Sequence, residues 1–192
     1  HFTAGSVDLR RYNRVSPDAE LNLRVLWGGS LDGDPLPSQF QHALGGEGTL
    51  PGYSLFSLNC GSRADLLLIN RVAFDDDQDT TRPVFPSYGC DRALLFQLEY
   101  RGHLSLNLDL GSDDDEWNPG WDWYPVVDLE PTWVAFFDLG RGWSESDPSL
   151  DTRTLSDLGL GFYLGDLGFY WAWPLEGENR NVNFFVRLQR RF

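Results

Sequence analysis

The chain contains no lysine and no methionine. All 15 of its basic residues are arginine, set against 29 acidic residues in a chain of 192, which leaves a net charge of -14. Nothing resembles the basic stripe that nucleic-acid binding needs, so no nucleic-acid partner is expected. Translation starts with Met, so a chain that opens on His1 reads as a processed or trimmed product that has lost an N-terminal portion, and any signal peptide with it.

Cysteine and histidine are also scarce. Two cysteines, Cys60 and Cys90, and three scattered histidines, His1, His42 and His103, do not make a zinc site, and no metal or other cofactor is expected. The cysteines bracket a polar loop. They are either free thiols or a disulfide; we expect the disulfide, which would contribute roughly 3 kcal/mol by closing that loop and would place it in an oxidising compartment.

Long apolar runs are absent. The longest, residues 133–137 and 169–173, have five residues, which excludes a transmembrane helix. A transmembrane barrel is not excluded, because it hides its apolar surface in every second residue. Catalytic signatures are missing as well. There is no Gly-x-Ser-x-Gly, and the segments starting at Gly46 and Gly159 carry Pro51 and Leu164 where a Gly-x-Gly-x-x-Gly would need its last glycine. Glu99 and Asp138 are expected to form structural ion pairs with arginine, and His103 a satisfied polar contact, so the chain is not read as an enzyme.

What the chain does have is alternation with a period of two. Val182, Phe184, Val186, Leu188 and Phe192 share one face, opposite Asn183, Arg187, Gln189 and Arg191, with Phe185 the single apolar intruder. Leu167, Phe169, Trp171 and Trp173 alternate with Gly168, Tyr170 and Ala172, and Leu158, Leu160, Phe162 and Leu164 with Asp157, Gly159, Gly161 and Tyr163. Trp133, Ala135, Phe137 and Leu139 oppose Phe136, Asp138 and Gly140. From Leu94 the even positions are apolar as far as Leu110, opposite Gln97, Glu99 and Arg101. Leu21, Leu23, Val25 and Trp27 oppose Glu20, Asn22 and Arg24, and Val7 and Leu9 begin a similar strand. Seven or eight strands result, none with a helical period.

Soluble sandwiches and barrels alternate too, but two features favour a membrane barrel. The opposite face carries charge and glycine in successive strands, as a wet or plugged lumen does. The apolar face is long and aromatic, offering Trp27, Tyr100, Trp133, Phe169, Trp171, Trp173 and Phe192 for interfacial girdles. Two acidic runs, residues 75–79 and 113–116, are expected to be solvated loops rather than Ca²⁺ sites.

Four segments, in order, resemble the C-terminal part of the BamA/TamA-like outer-membrane assembly barrels, the bacterial surface antigen family. LGGEGTLPGY (Gly45, Gly46, Gly48, Leu50, Pro51, Gly52 and Tyr53) is similar to the glycine-rich tip of the family's inward-folded loop. LEYR, with Glu99 and Arg101, resembles the strand after that loop. FFDLGRGW resembles the family's Phe-x-Asp-x-Gly wall motif at Phe136, Asp138 and Gly140. The end of the chain, with Phe184, Val186, Leu188 and Phe192, resembles the last strand and its sorting signal.

The resemblance implies an all-β fold: an antiparallel transmembrane β-barrel in the bacterial outer membrane, with residues 1–192 supplying the C-terminal half of sixteen strands. Residues 30–91 would fold into the lumen. The implied function is assembly, insertion or translocation of outer-membrane proteins without a cofactor, the partners being outer-membrane lipid and client β-barrel proteins that pair with a weak seam.

Three departures accompany it. Pro51 stands where the family's loop carries an Arg that pairs with the wall, leaving Asp138 and Glu99 to find Arg63, Arg101, Arg141 or solvent. Residues 111–130 form an acidic insertion bearing Trp117, Trp121 and Trp123, read as a self-packed Ω-type loop or a docking surface. The chain also supplies only half of the family's strands. The alternatives are an anchor or scaffold barrel for a fused or bound periplasmic or surface domain and, from another class, a soluble acidic glycan-binding β-domain.

Overall fold

The computed structural model describes residues 1–60, 89–103, 106–108, 127–129, 131–144, 153–177, 181–188 and 191. The acidic runs, Arg63, the three tryptophans of the insertion and Phe192 lie outside them. The alternating segments are strands: β1 (Ala4–Ser16), β2 (Ala19–Ser30), β3 (Arg92–His103), β4 (Leu106–Leu108), β5 (Val127–Leu129), β6 (Thr132–Trp143), β7 (Arg153–Leu164), β8 (Leu167–Pro174) and β9 (Asn183–Arg187). The only helical element among the described residues is a single 3-10 turn, Ser38–Phe40, and no helix there is long and apolar enough to cross a membrane.

Seven strands form one antiparallel sheet in the order β1-β2-β3-β6-β7-β8-β9. Chain order is sheet order because the connections are hairpins or excursions that return to the same edge. Two of them, Pro17-Asp18 and Gly165-Asp166, are two-residue turns; in the second, Gly165 at φ 61° takes the first turn position that a right-twisting two-residue hairpin reserves for glycine. Among the described residues the sheet is not closed into a barrel: β1 and β9 are its edges. β1 runs 13 residues and β9 only five, and no register joins them.

Leu106–Leu108 pairs with Val127–Leu129 in the same register that pairs His103 with Thr132, so the strand pairing expected past His103 is present at Leu106–Leu108. Two expectations need correction. The insertion expected over residues 111–130 contributes a strand rather than only a loop. β9 stops at Arg187 instead of running to Phe192.

The two faces are opposite in character. On one, the period-two apolar set is open, with Leu158, Leu160, Leu164, Phe184, Val186 and Leu188 between 42% and 75% exposed. The other face is covered by residues 31–60 and buries Asn22, Gln97, Glu99, Arg101, Asp138 and Asp157. Sheets of water-soluble domains bury the apolar face and wet the polar one; this sheet does the reverse.

Register sorts the covered face into three bands. One end is apolar, where Leu44, Leu50, Leu58 and the two cysteines pack on Ala93 and Leu95, with Leu26 and Leu155 beside them. The opposite end is aromatic, where Tyr170 stacks on Phe185 at 5.0 Å and meets Tyr163 edge-on. Phe185, the apolar intruder of the alternation, is buried there because it completes this stack. The charged band lies between them.

Candidate functional site

The charged band follows from two adjacent rows of the ladder. Gln97, Asp138 and Asp157 oppose one another across β3, β6 and β7, and the next row on the same face holds Glu99, Phe136 and Gly159. Residues two apart on a strand share a face, so Glu99 lies beside Gln97 and Phe136 beside Asp138. Gly159 gives the Phe136 ring its bed: a Cβ there would come within 2.1 Å of the ring.

Arg191 fills this band. Its guanidinium pairs with Asp138 Oδ2, approaches Glu99 Oε2 at 3.8 Å, and lies over the Phe136 ring 3.8 Å from the centroid. Glu99 Oε1 accepts from Arg101 Nε, so this carboxylate is shared by two arginines. All four charged groups are buried. Removing one partner of such a buried pair costs about 3–5 kcal/mol, because it strands the other charge.

The partner expectation is therefore corrected. Among the arginines named from sequence, Arg101 does pair with Glu99, but Arg141 lies over the Trp143 ring at 5.8 Å on the open face, away from Asp138. The partner of Asp138 comes from beyond β9. Its position was legible as one of the polar-parity residues of the last segment; its partner was not.

The loop reaches the same band from the other side. Its limbs are joined by Leu44–Leu58 and His42–Cys90 bridges, and the Cys60–Cys90 disulfide ties the two described limbs together. Gly45 and Gly46 adopt φ 134° and 80°, a region L side chains rarely occupy, and a Cβ on Gly45 would meet Ser54 O at 2.4 Å. Gly48 has nothing within 4 Å of such an atom, so the glycines of the motif are not equivalent.

Contacts from several strands seat the tip. Gln97 Nε2 donates to Thr49 O at 2.9 Å, the Gly52 amide to Asp157 Oδ2 at 2.7 Å, Asn183 Nδ2 to Pro51 O at 3.2 Å and Arg187 Nη1 to Glu47 O at 3.3 Å. The Tyr53 hydroxyl lies 2.9 Å from both Ser156 O and Glu176 Oε2. Leu50 sits over Gly140, where a Cβ would be 2.8 Å from its methyl. The tip thus bridges β3, β6, β7 and β9, and it does so through backbone and neutral groups rather than an arginine of its own.

No protein-family model matches the chain. No curated protein matches it either.

Of the remaining residues singled out from sequence, Phe184, Val186 and Leu188 line the open face, apart from the loop and the charged band. Sequence reasoning missed Asp157, Gln97 and Glu176 as loop receptors. Asp157 and Gln97 were on the polar parity, and only the register shows that they meet the loop tip. Among the described residues, no group of three His, Cys, Asp or Glu is arranged to hold a metal ion.

Proposed function

We propose that the sheet is part of the wall of an outer-membrane β-barrel, with the open apolar face toward lipid and residues 31–60 folded into the lumen. The observation that carries this reading is the inverted sheet: buried Glu99, Arg101, Asp138, Asp157 and Arg191 on one side, and exposed leucine, valine and aromatic residues on the other. Lipid would remove the cost of the exposed apolar face. The resemblance to BamA/TamA-like proteins then points to assembly or translocation of outer-membrane proteins, in which client strands add to a free sheet edge through backbone hydrogen bonds.

A second reading, an anchor or scaffold barrel, is favoured by the seating of the loop. Its tip has contacts on four strands of the wall, and Pro51 takes the place of the arginine that the resemblance implies. A brace of this kind suits a fixed support.

The test is partition into detergent micelles with heat-modifiable gel mobility. A folded species that needs detergent supports the wall; a monomer freely soluble without detergent overturns it. Client insertion by membranes that carry the protein then separates assembly from anchoring.

A further inference from the structure

We propose that Asp8, Arg24 and Gln97 form a hydrogen-bonded strut that couples the β1 edge of the sheet to the seating of the loop tip, with Arg24 positioning the Gln97 amide. The inference does not rest on the membrane reading, because every group it uses lies on the loop side of the sheet.

Register places the strut. Arg10, Arg24 and Gln97 oppose one another across β1, β2 and β3, and Asp8 lies two residues from Arg10 on the same face of β1. Arg10 and Arg24 face each other directly, and like charges so placed destabilise a ladder. Asp8 resolves this by serving both. Arg10 Nη2 donates to its Oδ2 at 2.7 Å, while Arg24 holds both oxygens, Nε to Oδ1 at 2.9 Å and Nη2 to Oδ2 at 3.0 Å. A guanidinium gripped in this bidentate way is fixed in plane, and its remaining nitrogen, Nη1, donates to Gln97 Oε1 at 3.1 Å.

Gln97 passes the constraint on. Arginine only donates, whereas a carboxamide has one accepting end and one donating end. With Oε1 committed to Arg24, Nε2 is the end left for the loop, and it donates to Thr49 O at 2.9 Å. Without the Arg24 donor the amide can turn its oxygen toward the Thr49 carbonyl, where two acceptors meet with no proton between them. Burial grades along the strut: Gln97 is 1% exposed, the Arg24 side chain 13% and the Asp8 side chain 30%. Water therefore does not replace a bond lost at the tip end, while the edge end stays open to whatever pairs with β1. By linkage the coupling is reciprocal, so a seated tip also steadies the edge.

The experiment is native-state hydrogen exchange of the full-length protein, in detergent if its solubility requires, read at the Gly52 amide, which the seated tip bonds to Asp157. Arg24→Met and Asp8→Ala should each speed this exchange about three- to tenfold, the worth of one hydrogen bond, with the amides of β8 unchanged. In a Gln97→Met background, where the tip is already loosened, neither substitution should speed it further, because the link through which they act is gone. Should Arg24→Met fail to fold, Asp8→Asn in both backgrounds completes the same cycle. Unchanged exchange in the single variants, the same increment in both backgrounds, or an equal rise across β8 would overturn the proposal.

Discussion

The amide of Gly52 and the carboxylate of Asp157, 105 residues apart in sequence, meet at 2.7 Å. Glycine is required for that approach, since a Cβ at position 52 would lie 2.7 Å from Asp157 Cβ and 3.0 Å from the Pro174 nitrogen. Neither atom is the free end of a flexible side chain, so the tip would have to lift. Gly52→Ala is expected to cost about 1–3 kcal/mol, the range for overpacking or a stranded buried polar group. Denaturant unfolding measures it, and a midpoint equal to wild type would show that the tip is not seated by this contact.

Tyr53 and Glu176 make the loop's attachment pH-dependent. Burial pushes the Tyr53 hydroxyl up to about 12, so the folded state holds this proton more tightly than the unfolded state does. That stability is complete below the ordinary value of 10.0 and is lost as pH rises through the folded value. Burial pushes Glu176 up, but the hydrogen bonds from the Ser156 hydroxyl and amide and from Tyr53 outweigh it and hold the carboxyl below 4.5. Its contribution is present above 4.5 and fades as pH falls. Melting temperature against pH should therefore decline at both ends. Tyr53→Phe should remove this alkaline limb and, by taking away one donor to Glu176, weaken the acid limb, whereas Glu176→Gln should remove its acid limb and leave most of the alkaline one, which comes from burial; limbs unchanged by either substitution would refute the assignment.

The Cys60–Cys90 bond joins residues 30 apart whose Cα atoms are 4.9 Å apart. Replacing both cysteines by serine is expected to lower stability by about 3 kcal/mol, the entropy of closing a loop of that size. The His42–Cys90 backbone bonds at 2.9 and 2.7 Å hold the base of the loop. Thermal unfolding of the double variant measures the loss, and a midpoint equal to wild type would contradict it.

Leu160, 52% exposed on the open face, discriminates lipid from water. An arginine there costs about 2–4 kcal/mol near a bilayer midplane but stays within about 0.5 kcal/mol on a watered surface. The membrane reading predicts the larger loss in folding into lipid vesicles, and an indifferent Leu160→Arg would count against it.

Strand identity and face were legible in the sequence because side-chain direction in a strand is a local property. The alternation of Gln97, Glu99 and Arg101 with Phe96, Leu98 and Tyr100 needs no partner to be read, and these residues do lie on opposite faces. Phe185 went against its neighbours' pattern because a ring on β8, Tyr170, was waiting for it. Past His103 the apolar parity continues in the sequence, and Leu106–Leu108 keeps the register of β3 against the segment that precedes β6.

The sequence by itself determined an all-β chain and its two opposed faces, both set by residue type and near neighbours; that Cys60 and Cys90 are bonded rather than free thiols depends on their meeting in space. The tertiary structure alone decided which arginine satisfies Asp138. Ion pairs depend on distance through space, and Arg191, 53 residues from Asp138 along the chain, reaches it only because the covered face brings β6 and the C-terminal segment together. It also decided that Pro51 need not carry a charge: the loop tip is held by its backbone, whose donors and acceptors every sequence supplies, and only the fold positions them.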